Sequence, residues 1–199
     1  GVRLLNIFSA VATRKALRRL LEEKSVQVYD VFNTELRIVT KVLNQAKYCY
    51  PDHVPRIVGP VMWARAAKQS LERNMEILKS GPVMSDSPGR KEIFFTFGQT
   101  VQALAEIGPK NYFEWIQSLD GQYLMKLQQT LLARCESDPS RLEINFDSNL
   151  LRLFSEVQYW ERMEFEIPQI VTDMYQSREE ILLLREKVLV LIRNYNRII

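Results

Sequence analysis

Residues 145–199 read NFDSNLLRLFSEVQYWERMEFEIPQIVTDMYQSREEILLLREKVLVLIRNYNRII, and this stretch decides the fold. It opens on Asn145-Phe146-Asp147, continues as an acidic amphipathic helix, passes Ile167-Pro168 and ends in a long helix with a regular apolar seam. Ile181, Leu184, Val188, Leu191, Tyr195 and Ile198 recur at steps of three and four. That a/d spacing keeps one stripe of a helix turned toward a partner helix along its length. Leu182, Leu183, Leu189 and Ile192 widen the stripe, so the helix is expected to meet more than one neighbour. No Gly, Asn cap or Pro follows Ile198-Ile199. The pattern therefore suggests a piece of a longer helical protein.

Working outward, Leu142, Ile144 and Phe146 alternate as a half-buried strand does. With Thr130–Arg134 and the turn-rich Glu136-Ser137-Asp138-Pro139-Ser140 they predict a short β-hairpin near 130–146. Asp147 is placed to accept from the free N–H groups of the next helix, whose apolar positions are Leu150, Phe154, Val157 and Trp160. Pro168 opens the following one. Upstream, residues 2–50 contain neither Gly nor Pro. Leu17, Leu21, Val28, Phe32, Val39, Val42 and Ala46 recur near helical spacing, so one long helix, or two joined near 23–25, should run to Pro51. A connector with Pro55, Gly59 and Pro60 leads into a helix carrying Trp63, Ala67, Leu71, Met75 and Leu78, stopped by Gly81-Pro82. A polar loop spans 81–91. A third helix should then run from Glu92 to Ile107 with Phe94, Phe97, Val101 and Leu104 on one face. Gly108-Pro109 is expected to break or kink it before further helix at 110–119 and from Tyr123 on. The expected class is all-α, an elongated bundle of long antiparallel helices with that one hairpin. Punctuation divides it into sections at 1–80, 92–134 and 141–199.

Composition excludes several classes. Apolar residues make up 46% and charged residues 26% of 199 residues, ordinary material for a packed domain. No run reaches the ~18 apolar residues a bilayer span needs. Residues 2–21 are basic and faintly like a targeting segment, but Asn6 and Ser9 interrupt their apolar run. The two cysteines, Cys49 and Cys135, lie far apart without a CxxC, as incidental thiols do. Residues 1–47 hold nine Lys/Arg against four acids, and residues 141–180 hold four Arg against nine acids. Such complementary regions are solvated faces or partner surfaces. Arg14, Arg18 and Arg19 form the densest basic group, without the interleaved aromatics of a nucleic-acid reader. Their charge reversal is expected to weaken association with a partner chain.

No catalytic, metal or cofactor site is legible. The glycines form no phosphate loop. His53, with Cys49 four residues away, is the single histidine, too few ligands for a zinc or nucleophilic site. Glu161, Glu164, Glu166 and Asp173 lack the Glu-x-x-His companion of helical di-metal sites and suit a solvated face. Phe94-Phe95-Phe97 and Tyr112-Phe113-Trp115 are expected in the core. Trp63→Ala is expected to cost about 3–5 kcal/mol, as a buried aromatic truncation does.

Pro55-Arg56-Ile57-Val58-Gly59-Pro60-Val61-Met62-Trp63-Ala64-Arg65 resembles the Gly-x-x-x-Trp-Ala-Arg signature in the tail of dynein heavy chains. Leu142–Asp147 with Leu150-Leu151, then Glu156–Tyr159, Glu166-Ile167-Pro168 and Asn194-Tyr195-Asn196 resemble the end of the same region, closer to axonemal than cytoplasmic members. Arg56, Pro60 and Gly108-Pro109 depart from the pattern and bear on local bundle geometry. The resemblance implies a non-catalytic tail segment that binds intermediate and light chains and other heavy chains. It also implies doublet-microtubule docking factors as partners and a place in the cytoskeleton and ciliary axoneme, with no cofactor, nucleic acid or membrane partner. ATP hydrolysis would then lie in distant parts of the parent chain. The rival readings are an unrelated helical scaffold or tether, and a helical enzyme whose active residues lie outside these 199.

Overall fold

A computed structural model of the chain describes residues 15–79, 88–119 and 129–199. Among these the helices are α1 (Lys15–Gln45), α2 (Gly59–Lys79), α3 (Pro88–Ser118), α4 (Asn149–Arg162), α5 (Gln169–Gln176) and α6 (Arg178–Ile198). β1 (Leu132–Arg134) and β2 (Leu142–Ile144) form an antiparallel hairpin. The class is all-α with one short hairpin, as the sequence implies. Arg14, the loop before residue 88 and the stretch from Tyr123 fall outside the described residues.

Two compact units emerge, one of residues up to Val54 with Gly59–Asn111, the other of Pro55–Val58 with Tyr112–Ile199. Their border lies inside α3, so compactness divides the chain differently from its Gly and Pro punctuation.

Three expected boundaries are corrected. First, α1 is one continuous helix through 23–25, the first of the two expected readings, but it ends at Gln45, ahead of Pro51. Ala46 closes it with φ 50°, its N–H donating to the Leu43 carbonyl at 3.1 Å. A left-handed residue after the last turn stops a helix without proline, at about 1–2 kcal/mol when that residue carries a Cβ. Second, α3 starts at Pro88 and runs unbroken through Gly108-Pro109. Proline removes one N–H and crowds one carbonyl, yet α3 accommodates Pro109, with Leu104 and Ile107 buried before it and Trp115 buried after it. Third, the helix expected after Pro168 is two. Pro168 does precede α5, but the chain turns at Ser177 before α6. Arg178 fixes that turn, its Nη1 donating to the Tyr175 carbonyl at 3.0 Å and its guanidinium lying 4.4 Å from the Tyr175 ring centre.

In the first unit Phe32 and Leu36 of α1, Leu71, Met75 and Leu78 of α2, and Leu104 and Ile107 of α3 are buried. Polar pairs fix their register. The Glu35 carboxylate accepts from Ser70 Oγ at 2.8 Å and Asn74 Nδ2 at 2.7 Å, and the Thr40 and Thr100 hydroxyls meet at 3.1 Å.

In the second unit Leu150, Phe154, Val157 and Trp160 of α4 are buried as their spacing predicts, with Leu153 added. Trp160 and Trp115 stand 5.6 Å apart, between Tyr112 and Phe165. Phe165 stacks on Tyr112 at 4.8 Å. The Tyr112 hydroxyl donates to the Glu166 carbonyl. Burial first and the Glu166 carboxylate second hold its pKa above the ordinary phenol value, so it stays a donor. The expectation that both aromatic runs are core holds for Trp115 but fails for Phe95 and Phe113, which are 66% and 60% exposed. Both lie on the exposed side of α3.

Candidate interaction surface

The Gly-x-x-x-Trp segment gains a physical reason. A Cβ added to Gly59 would lie 2.4 Å from the Tyr50 ring, so only glycine allows that ring onto the first turn of α2. One turn on, Trp63 meets Tyr48 at 5.0 Å between ring centres. The chain entering the connector is therefore pinned to α2 by two tyrosines, and Val54, four residues after Tyr50, is buried. Pro60 follows Gly59 in the first turn, and the Pro55 carbonyl accepts from Val58 N–H at 2.9 Å in a tight turn. Trp63 itself is half-buried, which corrects its assignment to the core. The buried positions of α2 are Gly59, Val61, Ala64, Leu71, Met75 and Leu78.

Asn145, Phe146 and Asp147 each make a distinct contact. Asn145 N–H donates to the Leu131 carbonyl at 2.8 Å, extending the hairpin, and its side-chain amide donates to the Thr130 carbonyl at 3.2 Å. Phe146 lies under the Arg185 guanidinium of α6 at 5.2 Å, within cation–π range. Asp147 Oδ1 accepts from Asn149 N–H at 2.9 Å and its carbonyl from Leu150 N–H at 3.0 Å, so it serves the first turn of α4 as expected.

A second tie joins the hairpin to α6. Leu142 N–H donates to Asn196 Oδ1 at 2.9 Å, and Asn196 Nδ2 donates to the Leu142 carbonyl at 2.8 Å. The Asn196 amide thus behaves like one more peptide group paired to the outer edge of β2, where an unpaired strand edge would otherwise invite another chain. Spacing could not reveal this pair, because nothing in the sequence connects positions 54 residues apart.

The seam of α6 splits between two environments. Ile181 and Val188 are half-buried and Ile192 is buried, so this side packs onto its own unit. Leu184, Leu191, Tyr195 and Ile198 are exposed, by 55%, 65%, 41% and 85%. Their regular spacing therefore does not serve internal packing. Leu183 and Val190, on the same side, are exposed as well. Among the basic residues, Arg19 is exposed, and Arg18 lies within α1.

One buried charge escaped the sequence reading. Glu156 accepts from Trp115 Nε1–H at 3.0 Å and pairs with Arg152 Nε at 3.1 Å. It lines a cavity of about 120 Å³ with Ser118, Leu119, Asn149, Arg152 and Leu153. Desolvation raises its pKa above the ordinary glutamate value, against the opposing pull of Arg152 and of the indole hydrogen bond. On sequence it looks like one more acid of a solvated face. Among the described residues no group of three or more His, Cys, Asp or Glu could hold a metal ion, and no helix is long and apolar enough to cross a membrane. His53 and Cys49 are exposed, and both cysteines are free.

Comparison with known proteins decides the family. The model for dynein heavy chain, N-terminal region 1, matches residues 1–199. The chain belongs to the dynein heavy-chain family. It is 35% identical over its full length to dynein axonemal heavy chain 2 of Mus musculus, and equally to that of Homo sapiens. It is 27% identical, over 98% of its length, to the dynein-1-beta heavy chain of the flagellar inner arm I1 complex of Chlamydomonas reinhardtii. In each case the chain spans about 4% of the relative's length. These relatives are axonemal, in keeping with the resemblance of Asn145-Phe146-Asp147 and Asn194-Tyr195-Asn196. As part of the N-terminal heavy-chain region, the segment is non-catalytic.

Proposed function

We propose that this segment is an assembly module in the tail of an axonemal dynein heavy chain. It joins intermediate and light chains and neighbouring heavy chains, and through docking factors helps anchor an ATP-driven, minus-end-directed motor on the doublet microtubule. Its place is then the cytoplasm and the cytoskeleton of the ciliary axoneme, and the ATPase lies elsewhere in the parent chain. One observation carries this reading: on a chain of this family, α6 keeps a regular apolar stripe facing outward. Large contiguous apolar patches mark interaction sites on soluble proteins. The basic group at Arg14, Arg18 and Arg19 supplies a second contact, steering acidic partners.

Co-purification tests the proposal. The parent heavy chain carrying charge reversals at Arg14, Arg18 and Arg19 should recover less intermediate chain than wild type, with an unchanged melting temperature. Equal recovery removes the basic group from the interface.

A further inference from the structure

We propose that the outer edge of β1 docks an extended segment of a partner chain, added to the hairpin as an antiparallel third strand with an acidic residue opposite Arg134. This deepens the assembly reading, and it rests on that reading only in taking the strand from another chain.

Ladder geometry leaves the edge open. In the register of the hairpin Leu132 faces Ile144 and Arg134 faces Leu142. Asn145 N–H donates to the Leu131 carbonyl, and Cys135 N–H donates to the Arg141 carbonyl. Bonded and non-bonded positions alternate along an antiparallel pair. Leu131, Ala133 and Cys135 therefore turn their backbone groups toward β2, and Leu132 and Arg134 turn theirs away from it. The same alternation turns Leu142 away from β1, where the Asn196 amide takes both its N–H and its carbonyl. One edge of the hairpin is thus covered at Leu142 by the chain itself. On the other, nothing among the described residues pairs with the N–H and carbonyl groups of Leu132 and Arg134. Two donors and two acceptors at a two-residue repeat are what an extended backbone completes. A helix, whose own groups are paired internally, offers them nothing.

Side chains choose the segment. By strand alternation Leu132, Arg134, Leu142 and Ile144 share one face of the hairpin. Leu132 is 45% exposed. Arg134 is exposed and donates from Nη1 to the Pro139 carbonyl at 2.8 Å, with no carboxylate paired to it among the described residues. On a strand added antiparallel, the residue facing Arg134 comes two positions before the one facing Leu132. The complementary segment therefore reads acidic, then any residue, then apolar. Its carboxylate lies beside the guanidinium, and its aliphatic side chain extends the surface of Leu132 and Ile144. A cation on a strand edge discourages indiscriminate pairing. Arg134 thereby makes selective an edge that would otherwise accept any strand.

Fluorescence anisotropy of the 199-residue chain with a labelled probe tests the proposal. The probe is a short acetylated and amidated peptide of alternating Thr and Val, with Glu replacing one Val so that another Val follows two positions later. Saturable binding is expected below about 1 mM, and hydrogen exchange at the Leu132 and Arg134 amides should slow in the presence of the probe. Leu132→Pro removes one outward N–H without taking a bond from the β1–β2 ladder. It should weaken binding about tenfold, while exchange at the Ala133 and Glu143 amides stays slow. Arg134→Glu should weaken binding as much, and a probe with Lys in place of its Glu should recover the loss. No saturable binding, or binding indifferent to Leu132→Pro or to Arg134→Glu, overturns the proposal. A chain that ignores the probe, while its parent still co-purifies with intermediate chain, overturns this inference and leaves the assembly reading standing.

Discussion

Gly59 shows how a single atom constrains this chain. A methyl group there must displace the Tyr50 ring, so Gly59→Ala should destabilise the first unit by about 1–3 kcal/mol, the range for overpacking. In a Tyr50→Ala background most of that cost should vanish, and a double-mutant cycle in urea measures the coupling. Trp63, half-buried on Tyr48, should lose less on truncation than the 3–5 kcal/mol typical of a fully buried aromatic. Trp160, with no exposure, should lose that full amount; denaturant melts of Trp63→Ala and Trp160→Ala side by side check the order. Glu156 behaves differently, because its charge is what burial disfavours. Its folded pKa lies above the ordinary glutamate value, so the folded form binds the proton more tightly than the unfolded chain. The resulting contribution to stability is complete below the unfolded pKa and is lost as pH rises through the folded one. Glu156→Gln keeps an acceptor for Trp115 Nε1–H and should be as stable as wild type or more so near neutral pH. That advantage should shrink on acidification. Glu156→Leu orphans the indole N–H and should cost about 1–3 kcal/mol.

At the scale of elements, sequence periodicity located the helices well and their ends poorly. Leu150, Phe154, Val157 and Trp160 were legible as a buried stripe because local spacing alone determines which face of α4 is apolar. The alternation of Leu142 and Ile144 gave β2 for the same reason. The end of α1 was not legible, since Ala46 carries no sign that it will adopt a left-handed conformation. Gly108-Pro109 misled in the other direction: punctuation is a local signal, and α3 continues through Pro109 with buried residues on both sides. Proline inside a helix still carries its penalty. Pro109→Ala should therefore restore one backbone hydrogen bond within α3 and raise stability by up to about 3 kcal/mol. A higher urea midpoint with an unchanged slope is the expected result. The Asn196–Leu142 pair was illegible because it links distant positions through a side-chain amide. Asn196→Leu should cost about 1–3 kcal/mol by leaving two strand-edge groups unpaired, and hydrogen exchange at the Leu142 amide should accelerate.

At the scale of the whole molecule, the candidate surface was half legible. Heptad spacing marked α6 as a helix that meets partners, but spacing cannot say whether a neighbour belongs to the same chain. Burial separates the two sides: Ile192 and Asn196 face inward, while Leu191 and Ile198 face out. Among the described residues this outward stripe is the surface on which the proposed assembly role rests. The account therefore stands on α6 being covered in the assembled motor. Cryo-electron microscopy of the intact axonemal dynein is the direct test. It should show density from another dynein chain against Leu184, Leu191 and Ile198; solvent over all three would contradict the account.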